Sequence, residues 1–172
     1  MSQRVMALTR YFWRRTLISL SGVLYIIVTL AFWYLFFDPG QGSTNPAYYV
    51  LIIGAFGAAA TFLLTLSVAS RGNLAEHYPL VVRLPSRVEY LTAVFLAAVL
   101  LGFTLQGGVA LLALYRGPDA IVGLWLEAIP VWTAVNILAA VLALHASDLV
   151  TMGWSRVVVY GTIALLLMSQ YQ

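Results

Sequence analysis

Long apolar stretches alternate with short polar breaks along this chain. The last stretch has only about 12 consecutive apolar residues, where a helix that crosses a bilayer needs roughly 20. It would span only with Trp154 and Gln170 at the two interfaces. The pattern therefore predicts an all-α, polytopic transmembrane helix bundle of about five spans. The five stretches are residues 16–37, 47–70, 88–115, 121–147 and 155–170.

The polar breaks carry residues that end helices. Asp38-Pro39-Gly40 and Asn45-Pro46 make up much of the first break, and Arg116-Gly117-Pro118-Asp119 forms the third. Proline and glycine favour turns there, because a helix in lipid must satisfy its own backbone. The second break, residues 71–87, is longer and mixed, and we expect a short interfacial helix in it.

An amphipathic segment precedes the first span. Val5, Leu8 and Phe12 recur at spacings of three and four, with Arg4 and Arg10 among them. This spacing predicts an interfacial helix over residues 1–15. The run that follows is read as an uncleaved anchor, and residues 1–172 as a single transmembrane domain.

Composition excludes a soluble fold. The chain is 62% hydrophobic and 9% charged, whereas a soluble domain carries about 25% charged residues. The absence of cysteine excludes disulfides, thiolate metal sites and cysteine catalysis. All nine basic residues are arginines, and in a membrane chain these mark cytoplasmic loops rather than a nucleic-acid surface.

The arginines also predict the orientation. Five spans place eight arginines on one side and only Arg116 on the other, and positive short loops stay in the cytoplasm. We therefore expect an integral protein of the bacterial inner (plasma) membrane, with a cytoplasmic N-terminus and an external C-terminus. The eight are Arg4, Arg10, Arg14, Arg15, Arg71, Arg83, Arg87 and Arg156.

Polar residues within the spans are candidates for chemistry, because burying them in hydrocarbon is expensive. Glu127 lies about 9 Å into the fourth stretch, where it either reaches the headgroups or contacts a proton or substrate beside Pro130. Asn136 lies deeper. His145 and Asp148 could meet, but a solvated helix end explains both. No catalytic, haem or metal motif is present, so we expect no enzymatic activity, cofactor or metal.

Small residues predict close helix packing. Gly54 and Ala58 have small-xxx-small spacing in the second stretch. Gly102 plays the same part in the third stretch, with Gln106 available for an interhelical hydrogen bond. These contacts belong either within this bundle or to another membrane subunit.

Residues Arg71–Glu76 and Leu84–Leu91 carry a resemblance. They resemble the cytoplasmic stretch between the second and third spans of ABC transporter permeases of the second export class. The N-terminal helix is similar to that family's elbow helix. Family permeases usually have six spans, whereas five are predicted here. The resemblance implies that this loop contacts a separate ATPase subunit through Glu76, His77, Arg83, Arg87 and Glu89.

Three functions follow as hypotheses. The first is a permease-like subunit of an ABC transporter, with the lipid bilayer, other membrane subunits and a soluble ATPase as partners. The second is an accessory or scaffold subunit of a larger bioenergetic or photosynthetic membrane complex. The third, a secondary transporter or channel, requires Glu127 or Asn136 to line a water-filled cavity.

Overall fold

Helices make up nearly all of the structure, a computed structural model that describes residues 3–37, 45–71, 86–116, 121–147, 150, 158 and 160–162. No strand occurs within these ranges, so the described part is all-α, as predicted. The second, third and fourth apolar stretches coincide with single helices to within one residue at each end. The helices are α1 (Gln3–Ile18), α2 (Leu20–Phe36), α3 (Pro46–Arg71), α4 (Arg87–Arg116) and α5 (Ile121–Ala146).

Three of these helices, α3, α4 and α5, are long and apolar enough to cross a membrane, counting only the part of the chain that is described. A fourth span results if α1 and α2 are taken together as one helix that bends by 68°. Most of the predicted fifth stretch, 155–170, and the predicted interfacial helix in the second break lie outside the described residues.

The sharp bend at Ser19 corrects the predicted start of the first span. Residues 16–18 are the last turn of α1, so the apolar helix begins at Leu20 rather than Thr16. The Ser19 hydroxyl donates to the Thr16 carbonyl at 2.7 Å and accepts from the Gly22 amide at 3.3 Å. Ser19 thus ends one helix and caps the next.

Similar caps begin the two following helices. The Asn45 side chain accepts a hydrogen bond from the Ala47 amide at 3.0 Å, and Pro46 occupies the first position of α3. The Ser86 hydroxyl accepts from the Val88 amide at 3.2 Å at the start of α4.

Helix α3 lies between α4 and α5 and packs along both. Helix α1 packs against α4, and α2 is tied to α4 by a hydrogen bond of 2.9 Å from the Trp33 indole to the Leu112 carbonyl. An apolar cavity of about 600 Å³ lies between α2 and α3, and the two helices still meet at its edge, where the Phe32 and Phe56 ring centroids are 4.6 Å apart. The compact part of the described structure is therefore the group α3, α4 and α5.

The outer surface of the helices is strongly apolar. Ile18, Leu20 and Leu126 are each more than 70% exposed. A water-soluble protein rarely shows such continuous apolar surface, whereas hydrocarbon tolerates it. The surface is therefore compatible with a membrane environment.

One end of the bundle collects most of the described arginines. The end of α3 and the start of α4 lie at this end, since the two helices are antiparallel, and α1 packs beside them. Arg116 stands at the end of α4 on the opposite side. We call the first end the arginine-rich end; it is defined by Arg4, Arg10, Arg14, Arg15, Arg71 and Arg87.

Candidate functional site

A buried pair of carboxamides joins α3, α4 and α5 near the middle of α3 and α5. Asn136 Nδ2 donates to Gln106 Oε1 at 2.7 Å, and Gln106 Nε2 donates to the Ile53 carbonyl at 3.3 Å. Asn136 is 0% exposed and Gln106 2% exposed. We call these two side chains and the Ile53 carbonyl the amide cluster.

A glycine makes room for the amide cluster. Gly57 of α3 lies directly against the Gln106 side chain, and a Cβ at Gly57 would come within 2.6 Å of both Oε1 and Nε2. The two helices can approach only because this position has no side chain. Gly57 is thus the partner of Gln106, a role that the small-xxx-small spacing did not assign to it.

Two other predicted packing residues, Gly54 and Gly102, also lie directly against a neighbouring helix. Gly102 faces Thr61, whose hydroxyl a Cβ at Gly102 would overlap. Gly54 faces Trp132, whose indole Nε1 would lie only 2.9 Å from a Cβ at Gly54. Ala58 is half-buried.

Trp132 is a site residue that the sequence pattern did not single out. It is 8% exposed, and its indole Nε1 donates to the Val50 carbonyl at 3.1 Å, which adds a second link between α3 and α5. Trp132 lies 11 residues into α5, a candidate span, and such a position is away from the interfacial belts where indoles usually occur. This position, far from either end of the apolar stretch, is the feature of the sequence that could have identified Trp132.

The chemistry of the amide cluster is structural. Carboxamides donate and accept hydrogen bonds but do not change charge at physiological pH, so the cluster cannot relay protons by titration. Asn136 Oδ1 and Thr61 Oγ1 are buried and have no hydrogen-bond partner within the described ranges. Leaving such polar atoms unpaired in an apolar interior costs free energy, which the surrounding contacts between the helices must offset.

Glu127 lies elsewhere, on the exposed surface of α5. It lines a groove of about 540 Å³ between α3 and α5, among otherwise apolar residues. Among the described residues no ion pair of Glu127 occurs. Helix α5 continues through Pro130 without ending. Asn136 and Glu127, both predicted as intramembrane polar residues, therefore occupy different environments.

At the arginine-rich end, α1 is fixed to the start of α4. Phe12 and Tyr90 meet edge to face with ring centroids 5.6 Å apart, and both side chains are buried. Val5 is also buried, whereas Arg4 and Arg10 are exposed, so α1 has one apolar and one basic face. In the structure the apolar face of α1 packs against the other helices of the protein.

The residues implied in ATPase contact are only partly described. Arg87 is exposed and Glu89 half-buried, and both lie in the first turn of α4 beside α1. Glu76, His77 and Arg83 lie outside the described residues.

Of the predicted pair of His145 and Asp148, the second residue lies outside the described part of the chain. His145 is exposed in the last turn of α5, with Nδ1 2.9 Å from the Val141 carbonyl. Within the described ranges no three potential metal ligands come together.

No family model, curated protein or solved structure matches this chain.

Proposed function

We propose that this chain is a permease-like membrane subunit of an ABC transporter that couples to a separate ATPase through residues 71–87. In this proposal the chain has five spans in a bacterial inner membrane. The arginine-rich end faces the cytoplasm, where the ATPase would bind.

The arrangement of α1 is the main observation that supports this proposal. An amphipathic helix precedes the first apolar helix, turns by 68° into it, and packs against the start of α4 through Phe12 and Tyr90. The loop 71–87 ends at that same point. A partner bound to this loop would therefore act directly on α1 and α4.

The packing of α4 supports the same function. Gln106 of α4 donates a hydrogen bond to α3 and accepts one from Asn136 of α5, and Trp33 of α2 donates one to the Leu112 carbonyl of α4. A force applied at the start of α4 would reach α2, α3 and α5 through these contacts. A transport subunit driven from one end needs such a connection.

Co-purification tests the proposal. The chain is purified in mild detergent from its native host, and the double variant Arg83→Glu/Arg87→Glu is compared with the wild type. We expect a soluble nucleotide-binding protein to accompany the wild type, and at least a tenfold loss of it from the double variant, because both charges lie on the proposed contact loop.

Arg116→Glu is the matched control, since it reverses an arginine at the opposite end of α4. This variant should retain the ATPase. A wild-type complex without any nucleotide-binding chain would contradict the proposal, and haem or pigment absorption in that complex would favour the accessory-subunit function instead.

A further inference from the structure

Among the described residues, the groove between α3 and α5 carries charge near one end. Its described walls are alanine, valine, leucine, glycine and tryptophan residues, and Glu127 is the single charged residue among those described. Along α5 the groove runs from Leu124 to Val135, about 16 Å of helix. Glu127 lies near the outer end of this length, and the remainder leads toward the middle of α5.

The inner wall of the groove is held rigidly. The Trp132 indole is fixed by its hydrogen bond to the Val50 carbonyl at 3.1 Å, and Gly54 provides the space in which it lies. The groove is therefore a formed feature of α3 and α5 and does not depend on the position of α2.

The negative charge of Glu127 indicates which kind of molecule the groove would bind. The carboxylate is exposed to the groove and lies about 9 Å from the start of α5. An ionised carboxylate at such a depth is stabilised by an opposite charge. A phospholipid headgroup fits poorly, because its phosphate lies between the ammonium and the acyl chains and would face the carboxylate first. An ammonium attached directly to a hydrocarbon chain brings no such repulsion.

We propose that this groove binds an amphiphile in which a single ammonium group is attached to one hydrocarbon chain. The ammonium pairs with Glu127, and the chain lies along Val131 and Val135 toward the middle of the bundle. The site belongs to this chain alone, so it does not depend on an ATPase partner.

Equilibrium binding of radiolabelled dodecylamine to the purified full-length chain, in phosphatidylcholine nanodiscs, tests the proposal. Empty nanodiscs give the nonspecific partitioning that is subtracted. We expect one saturable site per chain that unlabelled dodecylamine displaces, and that dodecanol and dodecanoate displace at least tenfold less well.

Variants locate the site. Glu127→Gln should weaken binding at least tenfold, and Glu127→Asp should restore most of it. Ala55→Leu places a larger side chain in the groove and should also weaken binding, whereas Ala134→Leu, at an exposed position of α5 outside the groove lining, should not. All three positions are exposed on the helix surface, and size-exclusion chromatography checks that each variant remains folded.

Three results would overturn the proposal. They are the absence of a saturable component, equal displacement by dodecanol, and unchanged binding by Glu127→Gln. A change in oligomeric state on Ala55→Leu, with no change in amine binding, would instead assign the groove to a second copy of the chain.

Discussion

At the scale of single residues, the contact between Gln106 and Asn136 decides how three helices meet. Hydrogen bonds between side chains inside a membrane contribute about 0.6 kcal/mol on average and up to about 1.7 kcal/mol. The sequence singles out both residues as polar positions in apolar stretches. It does not pair them, because α4 and α5 are apolar on all faces and so carry no amphipathic signal of their rotation.

The fit of Gly57 against Gln106 gives a testable change. Gly57→Ala should destabilise the protein by about 1 to 3 kcal/mol, because the added methyl group displaces the Gln106 carboxamide from its partners. Thermal unfolding in detergent, followed by circular dichroism, measures the effect. Gly108→Ala is the control, since a Cβ there meets nothing within 4 Å; it should be neutral or stabilising by helix propensity.

A second substitution checks the cause. In a background of Gln106→Ala, the cost of Gly57→Ala should fall markedly, since the overlapping side chain is gone. Equal costs in the two backgrounds would assign the destabilisation to another contact.

At the scale of helices, the junction of α1 and α2 is the feature that hydrophobicity alone describes worst. Leu17, Ile18 and Leu20 are apolar and only Ser19 stands between them, so the pattern predicts one uninterrupted span from Thr16. The hydroxyl of Ser19 nevertheless competes for the backbone and produces the bend. Such local hydrogen bonding does not change the hydropathy of the segment.

Gly22 is required by this bend. A Cβ at Gly22 would collide with the carbonyl oxygens of Thr16 and Leu17, so Gly22→Ala should open the angle between α1 and α2. The chain contains no cysteine, so spin labels can be placed at Met6→Cys and Leu35→Cys, both exposed. Double electron–electron resonance should then give a longer or broader distance distribution.

Gly123→Ala is the control for this measurement, because Gly123 is exposed and a Cβ there meets no neighbouring atom. An unchanged distribution in Gly22→Ala would show that the backbone around Ser19 can accommodate the methyl group.

At the scale of the whole molecule, the distribution of apolar surface and arginine could be predicted from the sequence, whereas the packing order could not. Stretch length and composition indicate the helices α3, α4 and α5 almost to their ends. The central position of α3 and the contact of α1 with α4 depend on individual side chains such as Phe12 and Tyr90, which lie 78 positions apart in the sequence.

The number of spans can be tested by labelling. Single cysteines at Gln3, Ala47 and Gln172 are reacted with a membrane-impermeant maleimide in intact cells and in inverted vesicles. Five spans with a cytoplasmic N-terminus predict that position 3 is labelled only in inverted vesicles, and positions 47 and 172 only in intact cells. Labelling of position 172 together with position 3 would instead indicate an even number of spans.

The length of α4 has a mechanical consequence. Its 30 residues extend about 45 Å, while the hydrocarbon core of a bilayer is about 30 Å thick. If the amide cluster at Gln106 acts as a fulcrum, the start of the helix is a lever arm of about 28 Å. A tilt of about 10° there would sweep Arg87 through about 5 Å, close to one helical turn. Small rotations at the centre of the bundle thus become displacements large enough to change which side chains meet at its arginine-rich end.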